Sequence, residues 1–232
     1  MKGVVQSGGT TGNVLPLNQA RVTLYDVASG WPAVAGEAKT DRNGAFTIEP
    51  PSPSGIFYAT ANLGGGVVLM ALLGPELPAA ITINELTTVA AVHCAAPFIE
   101  RRKLEGDPAG LRAAAATSAT LVDAETGQSS PDAGETDTLR VARSLANVLA
   151  SCVRDPNAAR DLVFDLATPP GGRRPSDTIS ALHNIARHPS HHTGEIFAQS
   201  KVAPLYEPAL ISPPESWTLS VNTNDPGDEA RA

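Results

Sequence analysis

Up to residue 83 the chain carries short runs in which apolar and polar positions alternate, and beyond Asn84 the apolar positions recur at helical spacing. A period of two marks a half-buried strand, and a period near 3.6 marks an amphipathic helix. Residues 3–7, 22–27, 45–48, 56–62, 66–72 and 79–83 read as strands set between Gly, Pro, Ser and Asn. Asn43-Gly44 supplies the φ > 0 positions of a tight hairpin turn into the strand at 45–48. The polar stretch 8–13 and the proline-rich stretch 50–55 read as loops. Seven short strands in about eighty residues predict an antiparallel β-sandwich over residues 1–83.

From Asn84 onward the pattern predicts an all-α helical region over 84–221, so the fold class is α+β. Asn84 is placed as an N-cap, with Glu85 in the first turn facing the helix dipole. Leu86, Val89, Ala90 and His93 share a face, and Pro97 ends or kinks that helix. An alanine-rich helix covers 108–122, followed by a polar loop over 123–134. Over 136–153 the apolar stripe is so wide that the helix is expected to be buried on most sides. Shorter helices are predicted at 157–167, at 176–188 with Ser176 as cap, and at 193–201. A last strand is predicted at 217–221, and 222–232 reads as a disordered acidic tail.

Composition narrows the classes of function. The net charge of −7 argues against nucleic-acid binding through a basic surface. Arg101-Arg102-Lys103 and Arg173-Arg174 are short and isolated, and read as solvated charge. No apolar run is long enough for a transmembrane segment. No signal peptide is visible at the N-terminus, so the protein is expected to be cytoplasmic or to begin downstream of a signal. Cys94 and Cys152 each sit in an apolar helical pattern. Two buried thiols and a disulfide between packed helices are both open readings.

Candidate chemistry is sparse, and no catalytic residue, metal ligand or cofactor is assigned. His183, His188, His191 and His192 lie close together with Glu195 nearby, but without the i, i+4 spacing of a metal-binding helix, so a solvated helix end is expected. No G-x-S-x-G elbow is present, and Cys152 lies in a helix predicted to be buried, where a thiolate is costly. Asp41 with Asn43 and Gly44 lacks the remaining ligands of a calcium loop, and Gly64-Gly65-Gly66 lacks a phosphate-binding spacing. The acidic stretch 222–229 reads as solvated tail rather than as a calcium site. Tyr25, Tyr58 and Trp31 are the aromatics considered for sugar stacking, and Trp31 in Ser29-Gly30-Trp31-Pro32 is the candidate binding residue. The competing reading has its indole packed over the end of the sandwich.

Gly3-Val4-Val5, the run Asn18 to Tyr25, and Thr40-Asp41-Arg42-Asn43-Gly44-Ala45-Phe46 resemble the carboxypeptidase regulatory-like, or Cna-B-type, domain. That resemblance implies a seven-stranded, prealbumin-like (transthyretin-like) sandwich over 1–83. Asn84 to Ala90, Ser144 to Val153, Asp177-Thr178, Asn184 to Arg187 and Ser216 to Leu219 look like the helical segment that follows this sandwich in some bacterial secreted or lipoprotein-type proteins. There a β-propeller of the NHL or streptogramin-lyase-like kind often comes next. No propeller follows Val221, so none of its activity carries over. The second cysteine usual after the position of Cys152 is absent from 154–168, and the resemblance leaves Cys94 as the partner within the chain. The resemblance implies a non-enzymatic module of the cell envelope or a secreted protein, binding carbohydrate or a cell-surface protein. The alternative it implies is an accessory segment of a propeller-type lyase or hydrolase whose catalytic domain lies elsewhere.

Overall fold

The computed structural model describes residues 1–9, 14–49 and 54–220. Among the described residues of the first 83 there are eight strands: β1 (Lys2–Ser7), β2 (Leu15–Pro16), β3 (Arg21–Asp26), β4 (Ala33–Lys39), β5 (Ala45–Thr47), β6 (Ser54–Gly64), β7 (Val67–Glu76) and β8 (Ala80–Ile83). They build two four-stranded sheets. In the first, β1 pairs antiparallel with β2 and β5 and parallel with β8. In the second, the order is β4-β3-β6-β7 and every pairing is antiparallel. The alternating residues explain the arrangement. Val5, Phe46, Ile81 and Ile83 from one sheet share a buried cluster with Val22, Leu24, Ala59 and Leu69 from the other. Each large apolar side chain so buried stabilises the fold by about 1.5–3 kcal/mol.

Three expectations are corrected here. There are eight strands in place of seven, and the β1–β8 pairing is parallel. Two strands fall outside the ranges read from sequence: β2, only two residues long, and β4, an edge of alanine, glycine and exposed charge whose sequence shows no alternation. The Asn43-Gly44 turn joins no hairpin, because it carries the chain from β4 in the second sheet to β5 in the first. Gly44 (φ 72°) is nonetheless required there. Its carbonyl accepts from Val5 N at 2.8 Å, and a Cβ would collide with the Val5 carbonyl oxygen. Of the loops expected at 8–13 and 50–55, residues 10–13 and 50–53 lie outside the described residues, as does the tail at 222–232, while Ser54 and Gly55 open β6 instead of ending a loop.

Six α-helices follow among the described residues: α1 (Glu85–Cys94), α2 (Pro108–Leu121), α3 (Asp137–Arg154), α4 (Ala158–Leu166), α5 (Thr178–Arg187) and α6 (Thr193–Ser200). The expected cap at Asn84 is present as a capping box. Asn84 Oδ1 accepts from Thr87 N at 2.9 Å, and Thr87 Oγ1 accepts from Asn84 N at 3.0 Å. The cap of α5 is Asp177 rather than Ser176. The region is also not wholly helical, because it holds two small hairpins. One joins β9 (Ile99–Glu100) to β10 (Lys103–Leu104), and the other joins β11 (Val122–Asp123) to β12 (Gln128–Ser129). Residues 217–220 form no strand. Trp217 is fully buried there, and its backbone N–H donates to Pro189 O at 2.8 Å.

Helices cover the outer face of the second sheet on its β6–β7 side. Val27, Tyr58, Val68, Met70 and Leu72 join α1, α2, α3 and α5 in one large buried cluster. An uncovered edge strand leaves backbone groups unpaired, and on β7 threonine hydroxyls of the helices satisfy them. Thr88 Oγ1 accepts from Met70 N at 2.9 Å, and Thr87 Oγ1 donates to Met70 O at 3.0 Å. Thr178 Oγ1 accepts from Val68 N at 2.9 Å and donates to Val68 O. The result is a mixed α and β fold of antiparallel sheets and six helices, with no barrel among the described residues. No described helix is long and apolar enough to cross a membrane.

Candidate functional site

Trp31 is 68% exposed, so its indole does not pack over the end of the sheets. Its loop, by contrast, is pinned. Gly30 N donates to Val27 O and Val27 N to Ile56 O, each at 2.8 Å. Asp26 Oδ1 accepts from Ala28 N at 2.8 Å and from Ile56 N at 3.1 Å. Gly106 N donates to Gly30 O at 2.9 Å, tying the loop to the segment after β10. Gly30 adopts φ 84°, and a Cβ there would press on the Gly106 carbonyl, so glycine is needed for this approach. The indole therefore stands out from a fixed turn, three residues before the exposed Val34 of β4. Tyr25 and Tyr58 offer less. They stack on each other at 4.8 Å, and Tyr58 is fully buried with its hydroxyl accepting from Leu104 N at 3.3 Å.

The histidines do not converge. His183 Nε2 faces Ala96 O at 3.0 Å, and His191 Nε2 faces Thr168 O at 2.9 Å. His192 Nδ1 lies 3.2 Å from Glu195 Oε1, and His188 closes α5. No group of three or more His, Cys, Asp or Glu among the described residues could hold a metal ion. Cys94 and Cys152 are free thiols, not a disulfide, and burial pushes each up to about 12, out of the range of a reactive thiolate. Asp41 Oδ1 is taken by the amides of Asn43 and Ala45. In the Gly64-Gly65-Gly66 turn the carbonyls of Gly65 and Gly66 accept from Arg160 and Thr178, which is not how a phosphate cradle presents itself.

A cavity of about 400 Å³ lies between the β11–β12 hairpin, α3 and the segment at 205–207. Arg143 of α3 lines it, with Nη1 2.6 Å from Glu135 Oε1 and Nε donating to Ser129 Oγ at 3.2 Å. Tyr206 also lines it and donates at 2.6 Å to Oε2 of Glu85, which accepts from Gly8 N at 3.0 Å as well. Glu85 thus stands in the first turn of α1 as expected, yet it is fully buried, and its Oε1 has no hydrogen-bond partner. Desolvation raises the Glu85 carboxyl above its usual range and holds the Tyr206 phenol well up too. The Tyr206–Glu85 hydrogen bond ties α1 to the C-terminal segment.

A second cleft, of about 260 Å³, opens on the part of the second sheet that the helices leave uncovered. Arg21, Thr23 and Tyr25 of β3, Glu37 of β4, and Thr60 and Asn62 of β6 floor it. The β9–β10 turn walls it with Arg101, Arg102 and Lys103. In that two-residue turn Arg101 (φ 47°) and Arg102 (φ 71°) occupy the positions where Asn-Gly is favoured. Left-handed backbone costs a side-chain-bearing residue roughly 1–2 kcal/mol. In the sequence these arginines read as solvated charge. Only the fold brings them to the same cleft as Arg21.

No protein-family model matches the chain, and neither a curated protein nor a solved structure gives a match.

Proposed function

We propose that this chain is a non-enzymatic binding module of a bacterial envelope or secreted protein, with carbohydrate as its ligand and Trp31 as the contact residue. The two-part design read from sequence, a prealbumin-like sandwich of the carboxypeptidase regulatory-like kind followed by a helical region, belongs to the same proposal. The observation that carries it is the pinned Trp31 loop. An indole left 68% exposed forfeits its large burial gain, and here it is held by a turn with three backbone hydrogen bonds within and around it and two more to the Asp26 carboxylate. A rigid exposed aromatic binds at low conformational cost, because little freedom remains to be lost. The inert thiols and the dispersed histidines add support for a binding role over catalysis.

A glycan array probed with the native chain and with Trp31→Ala tests the reading. The native chain should bind a subset of glycans, and the variant should lose at least tenfold in affinity for them. Absence of any glycan signal, or equal binding by the variant, would remove Trp31 and this function together.

A further inference from the structure

The β3–β4 cleft holds an excess of positive charge in a protein whose net charge is −7. Four cations, Arg21, Arg101, Arg102 and Lys103, line it beside one carboxylate, Glu37. The side chains of Arg21 and Arg101 form no ion pair with any described residue. Lys103 Nζ lies 5.4 Å above the Tyr25 ring, and Arg102 Nε reaches Asp177 Oδ2 only at 3.7 Å. Arg21 also stands directly opposite Lys39 in the β3–β4 register, a like-charge pairing that destabilises a sheet. Arg101 on the strained turn and Arg21 on β3 are therefore left without a counter-charge, a cost to the free protein that an anion would offset.

We infer that this cleft binds the anionic group of an acidic saccharide, a uronate carboxylate or a sulfate ester. The floor suits the rest of a sugar ring. Thr23, Thr60 and Asn62 offer hydroxyl and amide groups, and Glu37, which accepts from Thr23 Oγ1 at 3.2 Å, is an acceptor for sugar hydroxyls. A nucleic acid fits less well. Glu37 opposes a run of successive phosphates more than one anionic group set against the arginines, and Tyr58 already covers one face of the Tyr25 ring. Fork-shaped guanidinium groups match carboxylate and sulfate oxygens in pairs. The segment from Arg101 to Gly106 also links this cleft to the Trp31 loop, through the Gly106–Gly30 hydrogen bond. This inference rests on the saccharide reading of the preceding subsection, and it adds the charge of the ligand.

The test is calorimetric titration of the full chain at low ionic strength. The probes are trigalacturonate, its methyl ester as the uncharged control, a chondroitin sulfate tetrasaccharide, inorganic sulfate and a single-stranded oligonucleotide. At least one acidic saccharide should bind ten or more times tighter than the methyl ester, inorganic sulfate and the oligonucleotide, and added salt should weaken it. The double variant Arg101→Asn/Arg102→Gly places the favoured pair in the turn, so it should fold with a higher Tm than the native chain. It should also lose the preference for the acidic probe. Equal binding of charged and uncharged saccharides, no binding of either acidic saccharide, an unchanged preference in the double variant, or equal binding of sulfate or oligonucleotide would each overturn the inference. Trp31→Ala separates the two proposals: acidic preference retained in that variant leaves the cleft standing even where the Trp31 reading fails.

Discussion

Glu85 and His93 sit near opposite ends of α1, and they bias stability in opposite directions with pH. Burial raises the Glu85 carboxyl, so the folded state holds its proton where the unfolded chain has released it, and stability declines as pH rises through that window. His93 is the reverse case. Its Nε2 is buried without a partner, and desolvation lowers the imidazole from 6.5 to about 4. The unfolded chain therefore takes up the proton first, and up to about 3 kcal/mol is lost as pH falls from 6.5 towards 4. Denaturant melts across pH should show both limbs. Glu85→Gln should abolish the high-pH decline and leave the acid limb in place. Glu85→Ala, which strands the Tyr206 hydroxyl and Gly8 N–H, should cost about 3 kcal/mol at neutral pH. Trp31→Ala, by contrast, should change stability by less than about 0.5 kcal/mol, because the side chain is mostly in solvent. Sequence placed Glu85 in a first turn but could not show its burial, since the groups that hold it come from Gly8 and Tyr206, both far from it in the chain.

At the scale of elements, the helices protect the β7 edge through three threonines, and this is directly testable. Thr88→Val keeps the shape of the side chain but leaves Met70 N without an acceptor, so it should cost about 1–3 kcal/mol by urea denaturation. The exposed Thr120 of α2, changed to Val in the same way, should cost less than about 0.5 kcal/mol. The elements best read from sequence are those with strong local signals. The N-cap at Asn84 and the wide apolar stripe of α3 are local facts, and both elements form where expected. Ala33–Lys39 becomes a strand because β3 offers an edge to pair with, and its alanines and glycine carry no signal of their own. The β9–β10 hairpin hid for a related reason. Its strands are two residues long, and its turn carries Arg-Arg where a hairpin ordinarily announces itself with Asn-Gly.

At the scale of the molecule, the chain stacks two sheets and then a layer of helices, and its C-terminal segment is strapped back across α3. Asn147 is the fastening. Its Oδ1 accepts from Leu205 N at 2.7 Å and Tyr206 N at 2.8 Å, while Nδ2 donates to Tyr206 O at 3.0 Å. Ser144 Oγ adds a bond from Leu210 N at 3.0 Å, and Trp217 fills the core beyond. The proline-rich segment at 204–214 thus has no regular structure and yet is fixed, which no periodicity in it foretold. The same limit applies to the sites. Trp31 was legible as a loop aromatic, but its exposure and its pinning by Gly106 depend on tertiary contacts. The basic cleft was illegible, because Arg21 and Arg101 to Lys103 are far apart in sequence.

The two tryptophans allow the central claim to be read with one instrument. Trp31 is exposed and Trp217 is fully buried, so acrylamide should quench one emission component and spare the other. Titration with the glycans bound on the array should shield the accessible component and shift it to the blue, leaving the buried one unchanged. Glycans that bind with Trp31 still fully quenchable, or a complete panel that leaves its quenching unaltered, would contradict the account.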